Sequence, residues 1–310
     1  MITRAPNPRR VSFLHRKILS WYSRHGRELP WRNISNPYRI LLSEVMLQQT
    51  QVSRVLVKYG EFLQRFPTLR KLAESKQSSV VIAWRGMGYN ARAVRLHRLA
   101  KTILREYGGR FPRAHEEILA LPGIGMYTAN AVLSSAFRKH TPIVDVNVRR
   151  VLSRLFWPMK TTGTLKPEKA IWQLAYAVLP VGKSYHWNQA LMDLGATICT
   201  ARAPHCNECP VSRHCKSRDG MARDGGSLVR REPSKDGTPN RIYRGRIVET
   251  LRHHHRRGRL SPDAIGRTIH PNYSFRHRAW LEFLLSGLQR DGLIVSTKGK
   301  KWSDRRISLA

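Results

Sequence analysis

The chain has 310 residues, and its 56 Lys and Arg against 20 Asp and Glu give a formal net charge of +36. Such an excess of positive charge attracts polyanions, so nucleic acid is the leading candidate for a partner. The mean hydropathy of -0.45 and the lack of an apolar run long enough for a bilayer exclude a spanning helix, and the charged N-terminus lacks the apolar block of a signal peptide. We therefore expect a cytoplasmic, nucleoid-associated protein with no membrane partner.

Apolar residues at helical spacing predict helices along most of the chain, from the N-terminus to the cysteines. One long helix is predicted after Asn36-Pro37, since Leu41, Val45 and Tyr59 continue the same periodicity. The other helices predicted in this region cover residues 11–24, 69–73, 78–84, 91–107, 115–120, 127–137, 146–156, 167–179 and 188–198. A mostly α-helical fold is therefore predicted.

The composition changes after the cysteines. Residues 217–241 are rich in Gly, Ser, Pro, Asp and Arg and are predicted to form a linker. Beyond it, helical patterns cover residues 242–255, 262–269 and 275–290, and a strand pair is predicted at 293–295 and 302–309 around Lys298-Gly299-Lys300. Three helices and a two-stranded wing predict a winged-helix-like domain, and its many basic residues favour contact with a duplex.

All four cysteines fall within 17 residues in the pattern C-x6-C-x2-C-x5-C, as Cys199, Cys206, Cys209 and Cys215. Four thiolates in a long chain without a secretion signal favour a soft metal over a disulfide framework. Structural zinc usually has two close cysteine pairs separated by a longer loop, whereas this pattern has one close pair flanked by single cysteines. An iron-sulfur cluster is therefore preferred, with zinc and disulfides as the alternatives.

The sequence Leu121-Pro122-Gly123-Ile124-Gly125 predicts a tight turn between two helices. Its glycines leave the backbone N–H groups at the start of the next helix accessible, which suits a phosphate, although such a sequence also forms simple turns. Asp145 lies twenty residues downstream, just before another predicted helix. The commonest role of Asp at that position is to cap the helix N-terminus.

Several motifs together resemble the helix-hairpin-helix, endonuclease III-like superfamily of base-excision DNA glycosylases, and among them the MutY-type adenine glycosylases. The resemblance covers residues 12–216 and rests on the hairpin sequence 121–130, on Asp145 and on the cysteine pattern. The match to the adenine branch rests on Leu29-Pro30-Trp31-Arg32, Ser43-Glu44-Val45-Met46-Leu47-Gln48-Gln49-Thr50-Gln51-Val52, Gly86-Met87-Gly88-Tyr89 and Met192-Asp193-Leu194-Gly195-Ala196.

The resemblance implies a two-lobed fold, with a six-helix barrel and an iron-sulfur cluster lobe. Residues 1–32 and 141–216 would form the cluster lobe with its N-terminal helix, and residues 33–140 the barrel with the helix-hairpin-helix. Residues 217–241 would be the linker, and residues 242–310 the winged-helix-like domain. One 4Fe-4S cluster, bound by the four cysteines, is implied as the cofactor.

Release of a purine requires protonation of the base and stabilisation of positive charge on the sugar, which calls for two carboxylates in different environments. The resemblance implies that Glu44, partly desolvated, donates a proton to adenine N7, while Asp145 stays ionised beside the sugar. Arg32 and Asn147 are implied to support these two carboxylates. Without the resemblance, a solvated helix face for Glu44 and a helix cap for Asp145 are the simpler interpretations.

Tyr127 bears on the type of reaction. Related bifunctional enzymes such as endonuclease III carry a lysine at this hairpin position, which forms a Schiff base with the sugar, and a tyrosine cannot do so. The resemblance therefore implies a glycosylase with absent or weak lyase activity, in which Tyr127 hydrogen-bonds the catalytic Glu. Thymine/guanine mismatch glycosylases also carry a tyrosine here, but they tend to have arginines in place of Gln48-Gln49.

A glycosylase must extrude its target base, because the bond to be cleaved is inaccessible within a duplex. The resemblance implies that Gln49 and Tyr89 enter the base stack opposite the extruded base. The full set of implied DNA-binding residues is Gln48, Gln49, Thr50, Met87, Tyr89, Gly123, Gly125 and Arg149.

The resemblance thus implies a monomeric, monofunctional enzyme that removes adenine mispaired with guanine or 8-oxoguanine from double-stranded DNA. Well-known adenine glycosylases carry a Nudix-like domain that recognises 8-oxoguanine, and residues 244–310 are too short and too helical for one. The preference for oxidised guanine is therefore left open. Removal of thymine or uracil opposite guanine is an alternative activity. A non-catalytic DNA-binding regulator with a redox-sensing cluster is an alternative of another class.

Overall fold

A computed structural model describes residues 6–159, 165–218, 232–255, 257–297, 299 and 301–310. This part of the chain is mostly α-helical, as predicted. Its helices are α1 (Pro8–His25), α2 (Pro37–Leu47), α3 (Val52–Arg65), α4 (Leu69–Glu74), α5 (Gln77–Ala83), α6 (Ala91–Glu106), α7 (His115–Ala120), α8 (Met126–Ala136), α9 (Val146–Phe156), α10 (Glu168–Ala177), α11 (Ser184–Thr197), α12 (Asn240–His254), α13 (Pro262–Ile269) and α14 (Arg278–Arg290). Its strands are β1 (Ser234–Lys235), β2 (Thr238–Pro239), β3 (Ile294–Ser296) and β4 (Ile307–Leu309). Within these residues, no helix has both the length and the apolar character that crossing a bilayer requires.

The prediction of one long helix after Asn36-Pro37 is wrong, because the chain forms α2 and α3 with a break between them. Gln49 in the break has φ +55°, in the left-handed region that interrupts a helix. The guanidinium of Arg92 also binds the carbonyl oxygens of Val45 and Met46 in the last turn of α2. Carbonyls at a helix end lack intrahelical partners, and here a side chain supplies one.

Of the predicted linker, residues 219–231 lie outside the described part of the chain, as do Lys298 and Lys300 of the predicted wing turn. Its last residues form the antiparallel hairpin β1–β2 and the first turn of α12. Asp236 and Gly237 turn this hairpin, both with positive φ. The three helices beyond it and the antiparallel pair β3–β4 match the predicted winged-helix-like arrangement. We call the described residues of 232–310 the C-terminal module.

Two compact units make up the described residues. The first contains those of 1–41, 113–120 and 124–229, and the second contains those of 42–112, 121–123 and 230–310. The predicted domain boundaries stay a prediction.

In the first unit, α1 and α9 pack against α11. Their shared core contains Leu14, Ile18, Leu152 and Trp187, each at most 2% exposed. Cys199, Cys209 and Cys215 pack against the same core. Burial of this apolar surface therefore fixes the cysteine segment to the end of α11.

In the second unit, α4 and α5 pack against α6. Val81 of α5 and Val94 of α6 also belong to the apolar core of the C-terminal module, together with Ile247, Leu285 and Leu293. The module thus packs directly on α5 and α6 and shares one hydrophobic core with them.

Candidate active site and cysteine cluster

Asp145 is the N-cap of α9, as the sequence predicts. Its Oδ1 accepts a hydrogen bond from the Val148 N–H at 2.7 Å, and its Oδ2 accepts one from Asn147 Nδ2 at 2.8 Å. Burial raises the pKa of Asp145, and the hydrogen bonds from Val148 and Asn147 oppose that rise. Both carboxylate oxygens are therefore oriented by donors that favour the charged form.

Asn147 is held in turn by Arg150. Arg150 Nη2 donates to Asn147 Oδ1 at 2.8 Å and to the carbonyl oxygen of Gly195 at 2.6 Å, and its Nε donates to the carbonyl oxygen of Cys199 at 2.7 Å. Arg150 is buried. One guanidinium thus connects the Asp145 end of α9 to α11 and to the first cysteine.

Gly195 lets α11 approach the start of α9 closely. A Cβ at this position would lie 2.7 Å from Asn147 Cβ and 3.1 Å from Asn147 Cα. Such a distance forces backbone or side chain to move, because protein interiors are close-packed.

We therefore expect Gly195→Ala to displace Asn147 and to destabilise the fold by about 1–3 kcal/mol. Thermal unfolding measures the loss. Gly60→Ala in α3 is the matched control, since a Cβ there meets no atom within 4 Å, and its helix propensity predicts a gain in stability. An unchanged melting temperature for Gly195→Ala contradicts the close-approach argument.

Arg32 binds the buried carboxylate of Asp193 in α11. Its Nη1 and Nη2 donate to the two carboxylate oxygens at 2.8 and 2.7 Å, and Arg27 donates to the same oxygens through its backbone N–H and Nε. Burial raises the pKa of Asp193, but the hydrogen bonds from Arg32 and from the Arg27 backbone outweigh it and lower that pKa overall. The predicted catalytic support from Arg32 stays a prediction, and Asp193 is a partner that the sequence did not assign.

Glu44 lies in α2 of the second unit, half-buried between the buried residues Ser43 and Val45. Tyr127, also half-buried, is the second residue of α8 in the first unit. The roles assigned to both residues stay predictions.

Two loops of the second unit, residues 48–51 and 86–89, carry most of the predicted DNA-binding residues. We call them the paired loops. Gln49 and Tyr89 have φ values of +55° and +43°, and Tyr89 is 51% exposed. Positive φ is uncommon for residues other than glycine, so the surrounding structure must hold both residues in place.

Arg92 holds the paired loops together, although no motif in the sequence singles it out. It is 4% exposed, and burial lowers its pKa to about 10, so it remains charged at neutral pH. The four N–H bonds of its Nη1 and Nη2 groups are shared among six acceptors at 2.5–3.2 Å, the carbonyl oxygens of Val45, Met46, Gln48, Met87 and Gly88 and the hydroxyl of Thr50. One side chain thus sets the backbone of both loops.

The hairpin turn and Arg149 complete the predicted DNA-binding set. Gly123 has φ +80°, and a Cβ there would lie 3.3 Å from Arg95 Cδ. Gly125 is the N-cap of α8. Arg149 Nη2 donates to the carbonyl oxygen of Lys166 at 2.9 Å. Both glycines therefore occupy the turn positions that the sequence predicts.

The four cysteines line one cavity in the first unit, with apolar walls that include Leu155 and Leu194. Burial, together with the other three cysteines, raises the pKa of Cys209 to about 12. Arg154 Nη1 lies 3.5 Å from Cys199 Sγ. Four sulfur donors around one space, with arginine beside them, suit a metal centre that favours the thiolate form.

A family model described as "HhH-GPD superfamily base excision DNA repair protein" matches residues 42–176. The chain is 40% identical to the adenine DNA glycosylase of Mycolicibacterium smegmatis over 238 residues, which cover 76% of this chain and 79% of that one. The chain belongs to the HhH-GPD superfamily of base excision DNA repair proteins.

Two further matches give the extent of the likeness within the HhH-GPD superfamily. The chain is 40% identical to the adenine DNA glycosylase of Buchnera aphidicola subsp. Baizongia pistaciae and spans 58% of its length. A solved structure of a thermostable thymine-DNA glycosylase matches with a TM-score of 0.64 and 34% identity, covering 68% of this chain and 97% of that one. These matches confirm the predicted helix-hairpin-helix glycosylase fold.

Proposed function

We propose that this chain is a monofunctional DNA glycosylase that hydrolyses the N-glycosidic bond of adenine mispaired with guanine or 8-oxoguanine. The likeness to adenine DNA glycosylases over 79% of the mycobacterial relative carries this proposal. The oriented carboxylate of Asp145 supports it, because cleavage of this bond places positive charge on the sugar.

In the proposed reaction, Glu44 donates a proton to adenine N7, and the C1′–N9 bond breaks with its electron pair leaving on the base. Asp145 stabilises the resulting cationic sugar, with Asn147 and Arg150 holding its carboxylate. Water then adds at C1′, and the proton that it loses returns to the Glu44 carboxylate. Tyr127 supports Glu44 and cannot form a Schiff base, so the strand stays intact. The extruded base is replaced in the stack by side chains of the paired loops.

We propose that Cys199, Cys206, Cys209 and Cys215 hold one 4Fe-4S cluster. A bound cluster supplies a covalent anchor for residues 200–214 and takes no part in base release. Arg150 and Arg154, beside Cys199, offset the negative charge of the thiolates. The single carbonyl contact from Arg150 to Cys199 ties this anchor to the Asp145 end of α9.

We expect purified protein to be brown and to contain about four iron atoms per chain. Chelation of the iron should lower the melting temperature, because metal binding is coupled to folding. Iron and zinc analysis of the purified protein checks the metal content, and thermal unfolding with and without chelator checks the effect on stability. A colourless protein with one zinc per chain contradicts the cluster.

The proposed partner is double-stranded DNA with a mismatch, bound by a monomer in the cytoplasm at the nucleoid. The net charge of +36 supports it, since neutralisation of phosphates releases counterions. We therefore expect binding to weaken steeply as salt is raised.

Removal of thymine or uracil opposite guanine is a second candidate, favoured by the 34% identity to a thymine-DNA glycosylase. An excision assay on A/8-oxoguanine, A/G, T/G and U/G duplexes, with and without alkali, separates the candidates. We expect release of adenine, and strand breaks only after alkali. Release of thymine instead overturns the adenine proposal, and a protein that binds the duplexes and releases no base is the non-catalytic regulator.

A further inference from the structure

A groove of about 1020 Å³ lies within the second unit. One wall comes from the paired loops and the start of α6, and the other comes from α12 and the end of α14 in the C-terminal module. The lining residues that matter here are Gln49, Tyr89, Arg95, Arg241, Gly245 and Arg246. The groove thus joins the predicted DNA-contacting loops to the C-terminal module, for which the sequence predicts contact with a duplex but no particular surface.

The two walls are fixed to each other. Arg252 of α12, whose side chain is 6% exposed, donates to the carbonyl oxygen of Val81 at 2.8 Å and to Asn90 Oδ1 at 2.8 Å. Gln77 Nε2 donates to the carbonyl oxygen of Gly292 at 2.6 Å. Asn90 directly follows Tyr89, so α12 is anchored beside the exposed aromatic ring.

The groove carries a net positive charge. Five arginines line it, against the two carboxylates of Glu249 and Asp291. Both carboxylates already have arginine partners, since Asp291 pairs with Arg244 at 2.5 Å and Glu249 pairs with Arg85 and Arg252. Arg95 and Arg246 are exposed and form no ion pair among the described residues, so their charge is available to an anion.

Gly245 lies in the interior of α12 and lines the groove. A glycine there costs about 1 kcal/mol of helix stability relative to alanine. A Cβ at this position would meet no atom within 4 Å, so packing does not require a glycine. Its effect is to leave the groove open along the helix backbone.

We propose that this groove binds the phosphodiester backbone of a DNA strand that passes over Gln49 and Tyr89. Arg95 and Arg246 then neutralise phosphates, and Gly245 leaves room for the strand beside α12. The C-terminal module is therefore part of the DNA-binding surface. This inference rests on the proposed function to the extent that DNA is the substrate.

The test compares Gly245→Glu with Gly245→Gln, two side chains of equal size that differ in charge. Gln289→Glu adds the same charge on an exposed residue of α14 outside the lining. Affinity for an unmodified duplex is measured across a salt series, with thermal unfolding as a check on folding. Relative to Gly245→Gln, we expect Gly245→Glu to bind about tenfold more weakly at low salt and to lose about one unit of the salt slope. Gln289→Glu should bind like the unsubstituted protein.

Equal affinities for Gly245→Glu and Gly245→Gln contradict the proposal that the groove binds DNA. An equal loss of affinity in Gln289→Glu contradicts it as well. The excision assay on the unsubstituted protein tests the proposed function separately. If that protein releases adenine and the two Gly245 variants bind equally, only the proposal that the groove binds DNA is contradicted. If it releases no base and Gly245→Glu binds more weakly, only the proposed reaction is contradicted.

Discussion

Asp145→Asn should slow adenine release by at least about a thousandfold, while affinity for mismatched DNA changes less than about threefold. The carboxylate stabilises positive charge on the sugar, and a neutral amide cannot replace that charge. Single-turnover excision and equilibrium binding on the same A/8-oxoguanine duplex measure the two quantities. A thousandfold rate corresponds to about 4 kcal/mol of transition-state stabilisation.

This substitution separates chemistry from folding because Asn caps helices as well as Asp does. The Asn oxygen can still accept the Val148 N–H at the start of α9. The contact from Asn147 Nδ2 is lost, since the new amide presents a donor to a donor. Asp145→Ala removes the cap as well. Its free energy of unfolding should therefore be about 1 kcal/mol lower than that of Asp145→Asn.

Equal losses of binding and excision in Asp145→Asn show that the residue is only structural. A preserved melting temperature together with lost excision supports the proposed role. Lost excision with an unchanged fold also argues against a passive DNA-binding regulator, since binding alone needs no carboxylate beside an anionic polymer.

Helix positions followed from local patterns in the sequence, and α9 shows why. Asp145 before an apolar repeat marks the start of that helix, and the following residues keep helical spacing to Phe156. The break at Gln49 had no such signal. It depends on Arg92, which comes from another helix and binds the end of α2.

Contacts between distant residues limit what the sequence can predict at the site. Arg92 is one of 56 basic residues, and nothing in its neighbours separates a buried loop anchor from a solvated charge. Asp193 stood inside a motif used for the resemblance, yet its pairing with Arg32 spans 161 positions. The hairpin at Asp236-Gly237 could have been predicted, since Asp-Gly is a strong turn signal.

Asp193→Asn should destabilise the fold by about 3–5 kcal/mol, because it leaves the guanidinium of Arg32 buried without a counter-charge. Asp193 is fully buried, and Arg32 is only 6% exposed on its side chain. The Asn side chain keeps the volume but places an NH2 donor against a guanidinium that needs acceptors. Chemical denaturation at pH 7 measures the loss.

The stability contributed by Asp193 also has a defined pH dependence. Hydrogen bonds to arginine outweigh burial and hold its folded pKa below the ordinary value. A depressed folded pKa means that the contribution is fully present above the unfolded pKa of about 3.9 and is lost as pH falls through the folded value. The stability difference between the parent and Asp193→Asn should therefore be constant near neutrality and shrink only in acid.

The double variant Asp193→Asn/Arg32→Met separates structure from catalysis at Arg32. Removing the unpaired charge should recover much of the stability, as replacement of a buried pair by apolar residues often does. If stability returns and excision does not, Arg32 acts on the reaction as well as on packing, in agreement with its predicted role in supporting Glu44. If both return, Arg32 serves the fold alone, and Glu44 has to be supported by other residues. If neither returns, the contact between Asp193 and Arg27 contributes most of the stability, and the bidentate pair of Arg32 and Asp193 is not what holds α11 in place.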